Sequence, residues 1–187
     1  TGAAETEAYV AAQKIDLAMR VLFGAGKLQQ LLASQVQGAA SMDVAGYVSA
    51  YVRAYARRVP DLEYHGPTEG VFAVVTDLAV SSILDRVLDN ATERRDPKSP
   101  IIVSMAVEKD EAILAVANSG PKIAEDWLRK VFDYGVSTAG HERGQGLFVV
   151  RELATMLQGS ALAANTDDGV VIAVRLPLAA PPRDSAA

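Results

Sequence analysis

The apolar positions of this chain change period several times, and each change marks an element. In residues 5–35, Ile15, Met19, Leu22, Leu28, Leu31 and Leu32 recur at helical spacing. That predicts a long helix, weakened or bent by the GAG of residues 24–26, since each glycine costs about 1 kcal/mol against alanine. VQGAASMD then reads as a linker, and Asp43 stands where it would cap a helix over 44–57. Short strands are expected near Leu62–Tyr64 and Val71–Val75. A strong helix is expected over 77–94, with Val80, Ile83, Leu84, Val87, Leu88 and Ala91 in one apolar stripe.

Beyond that helix the period shortens to two. IIVSMAVE (101–108) and AILAVAN (112–118), joined by KDE, give a hairpin signal. IAEDWLRKVF predicts a short helix over 123–132, and a glycine-rich stretch leads into another helix over about 144–157. SALAANT and VVIAVRLPL form a second hairpin around Asp167, Asp168 and Gly169. AAPPRDSAA closes the chain with the composition of a disordered tail, assigned to 181–187. This order predicts an α+β fold, a two-layer α/β sandwich with helices on one face of a mixed, mostly antiparallel sheet. It divides the chain into a helical segment at 1–40 and a domain at 41–180, with no internal repeat.

Composition narrows the functions. Half of the residues are apolar, enough for a real core, and the net charge of −5 gives no support for nucleic-acid binding. The absence of cysteine excludes disulfides, zinc–thiolate sites and cysteine catalysis, and fits a reducing compartment. No apolar run approaches the roughly 18 residues of a membrane span. No signal peptide is visible, and because Thr1 is not a natural start the chain reads as a fragment, with a membrane segment upstream left open.

Three stretches carry chemistry. On the 77–94 helix, Arg86, Asn90 and Arg94 are spaced by four and stack along one flank of the apolar stripe. Asn90 has a carboxamide oxygen suited to a hard cation such as Mg²⁺, although an exposed Asn at the edge of a core helix is common and by itself the plainer reading. The apolar strand 113–117 ends in Asn118, and Gly120 turns the chain. An amide there can bond an aromatic base, although Asn-Ser-Gly-Pro is also ordinary turn chemistry. In STAGHERGQGLFVVREL (137–153), glycines precede a helix start where free N–H groups favour phosphate. No Walker A pattern or dinucleotide fingerprint is present.

In this order the motifs resemble the ATP-binding catalytic domain of histidine kinases, within the GHKL superfamily. LDRVLDNATERR resembles its N box, VANSGPKI its G1 box, WLRKVFDYGVST its F box and RGQGLFVVREL its G2 box. GSALAANTDDGVVIAVRLPL is similar to its final hairpin, so the resemblance covers about residues 43–178. It implies a Bergerat-type pocket that binds ATP and Mg²⁺ between helices and sheet. Asn90 would be the catalytic residue that ligates Mg²⁺. Asn118 would read the adenine amino group, with Gly120 behind it, and Phe132 would pack the base of a lid at 134–146. Gly144 and Gly146 would cradle phosphate, hinged on Leu147, Val149 and Val150. Arg94, Lys122, Ile123, Ser137, Thr138, Arg143, Gln145 and Leu147 complete the implied nucleotide-binding set.

The resemblance also implies a response regulator as partner, the protein's own dimerisation and phosphoacceptor segment, a homodimer at full length, and a cytoplasmic location, with or without a membrane-bound sensor attached. Departures from the family pattern are Asn118 for its usual Asp, Lys122 for a glycine and Glu93 for a lysine. Arg86 replaces an Asn, or the water-activating Glu of ATP-hydrolysing relatives, and a permanently protonated guanidinium cannot act as general base. Arg86 is left to touch phosphate or to pair with Asp85 or Glu93. The only histidines, His65 and His141, lie off the expected long helices, so the phosphoacceptor is expected elsewhere. The 5–35 helix is read as a remnant of the dimerisation hairpin, or as an amphipathic helix docked on the domain. An anti-sigma-type serine kinase and a degenerate ATP-binding scaffold or regulator are the alternative functions.

Overall fold

The computed structural model describes residue 24, residues 26–135 and residues 146–182. The chain divides into two compact units, Thr1–Ser34 and Gln35–Ala187. In the first unit residues 26–34 are helical, within a run that reaches 36. Most of the helix expected over 5–35, with Ile15, Met19 and Leu22, lies outside the described residues, and so does the tail from 183.

The second unit runs β1 (Ala40–Asp43), α1 (Val44–Tyr55), β2 (Leu62–His65), β3 (Phe72–Val75), α2 (Asp77–Arg94), β4 (Ile101–Glu108) and β5 (Glu111–Ser119). Two 3₁₀ turns (Glu125–Trp127 and Lys130–Phe132), α3 (Gly146–Met156), β6 (Ser160–Asn165) and β7 (Gly169–Pro177) follow. Five strands form one sheet in the order β2-β4-β5-β7-β6, with β2 parallel to β4 and the other pairs antiparallel. The expected α+β sandwich is therefore present.

One expected linker is a strand. Ala40–Asp43 pairs antiparallel with Phe72–Val75, and this ribbon touches the end of β7 through a bridge from Ala73 to Leu178. Pairing satisfies backbone groups that a linker would leave to water. The helix expected over 44–57 ends at Tyr55, and the short helix expected over 123–132 is replaced by the two 3₁₀ turns.

Register puts the core on one face of the sheet. Val103, Val116 and Ile172 lie side by side across β4, β5 and β7, as do Met105, Leu114 and Val174, and all six are buried. The stripe of α2 covers β4 and β5, and α3 packs beside α2. The bounds of α2 have local causes. The Thr76 side chain accepts from Ala79 N at 3.0 Å and Asp77 sits in the positive first turn, while Pro97 follows the end. Leu84 at its centre is fully buried, so Leu84→Ala would cost about 2–5 kcal/mol.

Candidate functional site

Helix α2 is fixed in rotation by two contacts with α1. Tyr51 donates its hydroxyl to Asp85, and Tyr55 donates to Asp89 at 3.1 Å. Tyr47, Tyr51 and Tyr55 stack along α1 at centroid spacings of 6.3 and 5.9 Å, so the donors stand in a row. Burial first, then the bonded carboxylates, pushes both hydroxyl pKa values up, that of Tyr55 to about 12. The phenols therefore remain donors through the neutral range.

With 3.6 residues per turn, Arg86 and Asn90 lie about 100° round the axis from Asp85 and Asp89. The row Arg86–Asn90–Arg94 thus points away from the tyrosines, and all three residues are half-buried. Within it Arg94 Nε donates to Asn90 Oδ1 at 3.2 Å. Among the described residues Arg86 Nε is buried with no hydrogen-bond partner. Of its suggested ion-pair partners, Asp85 is held by Tyr51.

The end of β5 meets the end of α2. Asn118 is buried at 7% exposure on the helix-facing side of the sheet, opposite Ile101 and Val170, and its Nδ2 donates to Ser119 O at 3.2 Å. Ser119 O accepts from Asp96 N at 2.8 Å, and Gly120 N donates to Asp168 O at 3.0 Å. Gly120 has φ +147°, and a Cβ there would lie 2.3 Å from Arg94 O. The missing side chain admits the last carbonyl of α2, so the end of the strand that carries Asn118 meets the end of the helix that carries Asn90 and Arg94.

The next segment is clamped from β6. Asn165 Oδ1 accepts from Ile123 N at 2.9 Å, and Asn165 Nδ2 donates to Ile123 O at 2.7 Å. Lys122 beside it is exposed. Sequence reasoning missed Asn165, although an Asn ending an apolar strand is against β preference and was a usable signal.

Phe132 is buried in the second 3₁₀ turn, which packs against α3. Asp133 pairs with Arg151 at 3.0 Å, and Tyr134 meets Phe148 edge-on at 5.2 Å. Arg151 also lies over the Phe148 ring at 5.4 Å. On the far side Gly146 opens α3, Leu147 is half-buried, and Phe148, Val149 and Val150 are buried. Both borders of residues 136–145 are thus tied to α3. The expected site residues Ser137, Thr138, Arg143, Gly144 and Gln145, with His141, lie outside the described residues. His65 is exposed on strand β2, bonded to Glu63 at 3.1 Å, and so is not on a helix.

The fold and these motifs have known counterparts. The sequence model of the histidine kinase-, DNA gyrase B- and HSP90-like ATPase family matches residues 76–180. This chain belongs to that family. The match begins at the cap of α2 and takes in β4, β5, α3, β6 and β7, the elements that frame the site. Among histidine kinases, the signal transduction histidine-protein kinase AfsQ2 of Streptomyces coelicolor is 33% identical over 152 residues, covering 76% of this chain and 27% of the relative. DcuS of Escherichia coli K12 is 35% identical over 89 residues, 46% of this chain and 16% of the relative. The chain spans less than a third of the length of these relatives. In structure it resembles the catalytic domain of histidine kinase ThkA, with a TM-score of 0.68 at 18% identity over 75% of this chain and 96% of that domain.

As a member of this ATPase family the chain carries an ATP-binding domain. Among the described residues of the Arg86–Asn90–Arg94 row, Asn90 Oδ1 is the one side-chain oxygen of the kind Mg²⁺ takes, and it accepts from Arg94. No group of three or more His, Cys, Asp or Glu able to hold a metal exists among the described residues, whereas Asn90 offers one hard amide oxygen. Mg²⁺ at such sites takes most of its ligands from phosphates and water. Among the described residues no helix is long and apolar enough to cross a membrane.

Proposed function

We propose that this chain is the catalytic module of a two-component sensor histidine kinase, working on the cytoplasmic side. It binds ATP with Mg²⁺ and donates the γ-phosphate to a histidine on a dimerisation segment, from which a response regulator takes it. The observation that supports the reading is the junction of α2 with β5, where Gly120, two residues after Asn118, abuts the carbonyl of Arg94, one turn after Asn90.

In this reading the Asn118 amide oxygen accepts from the adenine amine. Ile123, Phe132 and Leu147 give the base an apolar surround, and Gly146 presents the positive start of α3 to phosphate. Arg94 and Lys122 supply positive charge. Asn90 Oδ1 would hold Mg²⁺, which when bound neutralises charge between the phosphates. During transfer a ring nitrogen of the acceptor histidine bonds to the γ-phosphorus. The bond to the bridging oxygen breaks, and ADP leaves with the electron pair. The chain's part is placement of the donor in line. Arg86 takes the place of the water-activating residue of ATP-hydrolysing relatives and cannot serve as that base.

Incubation with γ-labelled ATP tests this. Alone, the chain is expected to show no stable label and no fast phosphate release. With a helical segment carrying a suitably placed histidine, an acid-labile, base-stable label should appear on that segment. A label on His65 or His141 of the chain alone would overturn the proposal.

A further inference from the structure

We propose that the Arg86 guanidinium is a phosphate-binding group of this site, and that with Arg94 it lets the chain bind a nucleoside triphosphate without Mg²⁺. The inference rests on the nucleotide-binding reading above and adds a ligand role that the reading does not contain.

Arg86 Nε is buried and has no acceptor among the described residues. Buried N–H donors are nearly always paired, so this one calls for an acceptor that the described residues do not supply, and a bound phosphate is such an acceptor. The nearest carboxylates in sequence do not supply one. Asp85 and Asp89 are bonded to Tyr51 and Tyr55, round the helix from Arg86. What Arg86 does share is a flank of α2 with Asn90 and Arg94, one and two turns on.

Arg94 Nε is already on Asn90 Oδ1, the one hard neutral oxygen of the row. A guanidinium on that oxygen stands where a metal would otherwise be held. A phosphate oxygen is a stronger acceptor for Arg94 than a neutral amide, because charge strengthens the hydrogen bond. Two guanidiniums carry the same formal charge as one Mg²⁺, and they keep it at every working pH. Their planar forks also match the geometry of phosphate oxygens. The row therefore offers a triphosphate two cations built into the protein, with an amide between them that accepts either Arg94 or a metal.

The test is calorimetric titration of ATP into the full chain, once with MgCl₂ and once with EDTA. The unmodified chain is expected to bind in EDTA, within about tenfold of its Mg²⁺ affinity. Arg86→Gln should weaken binding in EDTA by about tenfold or more, the size of a lost charge-assisted hydrogen bond, and weaken it less in Mg²⁺. Arg86→Lys, which keeps the charge but not the planar fork, should recover part of the loss. Binding that requires Mg²⁺, or equal affinity of the Arg86→Gln and unmodified chains in EDTA, would overturn this inference and leave the nucleotide site standing. No binding in either buffer would overturn both.

Discussion

Asn165, the last residue of β6, holds Ile123 by both of its backbone polar groups, at 2.9 Å through Oδ1 and 2.7 Å through Nδ2. One side chain thus does what a neighbouring strand would do, and it ties the segment after Asn118 to the sheet. Asn165→Ala removes both bonds and leaves two part-buried backbone groups unpaired. The expected loss is about 1–3 kcal/mol, with weaker nucleotide binding because Ile123 is released. Asn165→Asp keeps an acceptor for the Ile123 N–H but sets a carboxylate against its carbonyl, and should be no better than Ala. Thermal melts check this, and an unchanged midpoint for the Ala variant would contradict it.

Gly120 permits the contact between β5 and α2. A methyl group at φ +147°, placed 2.3 Å from Arg94 O, forces the two elements apart. Gly120→Ala is expected to destabilise the chain by more than about 2 kcal/mol, since neither atom is the free end of a flexible side chain. Urea unfolding measures it. A loss below a few tenths of a kcal/mol would show that the junction is not rigid.

What was legible in the sequence was local. The bounds of α2 follow from Thr76, the apolar stripe and Pro97, all readable within one window. The β4–β5 hairpin announced itself by alternation, and the row Arg86–Asn90–Arg94 by its spacing. β1 was not legible, because four residues acquire strand structure only by pairing with β3 across α1 and β2. The 123–132 segment has helix-like composition, yet Asn165 holds its start from β6, and Asp133 after it is pinned to Arg151. Short helices are marginal, so two such anchors suffice to leave only 3₁₀ turns. The Tyr51–Asp85 and Tyr55–Asp89 bonds likewise depend on how α1 lies on α2, which no periodicity encodes.

Asp43 makes stability depend on acid. Its carboxylate caps α1 and accepts from Gly70 N, Gly46 N and Val71 N at 2.9, 3.1 and 3.3 Å. Burial opposes the charge, but these bonds outweigh it and hold the pKa below its ordinary 3.8. A depressed folded pKa gives stability that is fully present above the unfolded value and is lost as pH falls through the folded one. Asp43→Asn should therefore be less stable than the unmodified chain at neutral pH, with the gap closing below about pH 4. Urea unfolding at neutral and acid pH compares them, and a gap that stays constant would contradict this assignment.

The segment before Gln35 is expected to bring two chains together. The cut that tests it falls at Ser34, where the compact units divide, because Gln35 O accepts from Thr76 and Ala40 begins β1. Removing residues 1–34 should leave a folded monomer by sedimentation. An association state unchanged by the deletion would remove the dimerisation role.

Asn90 and Asn118 are proposed to frame one ATP–Mg²⁺ site. Its most direct test is calorimetric titration of ATP with Mg²⁺ against the unmodified chain and Asn90→Ala, with circular dichroism to verify folding. Asn90 is half-buried at the edge of the α2 stripe, so its truncation should leave the fold intact. Saturable binding of one nucleotide per chain is expected, with a fall in the Asn90→Ala variant to the affinity measured in EDTA. Equal Mg²⁺-dependent affinity in the folded variant, or no binding by the unmodified chain, would contradict it.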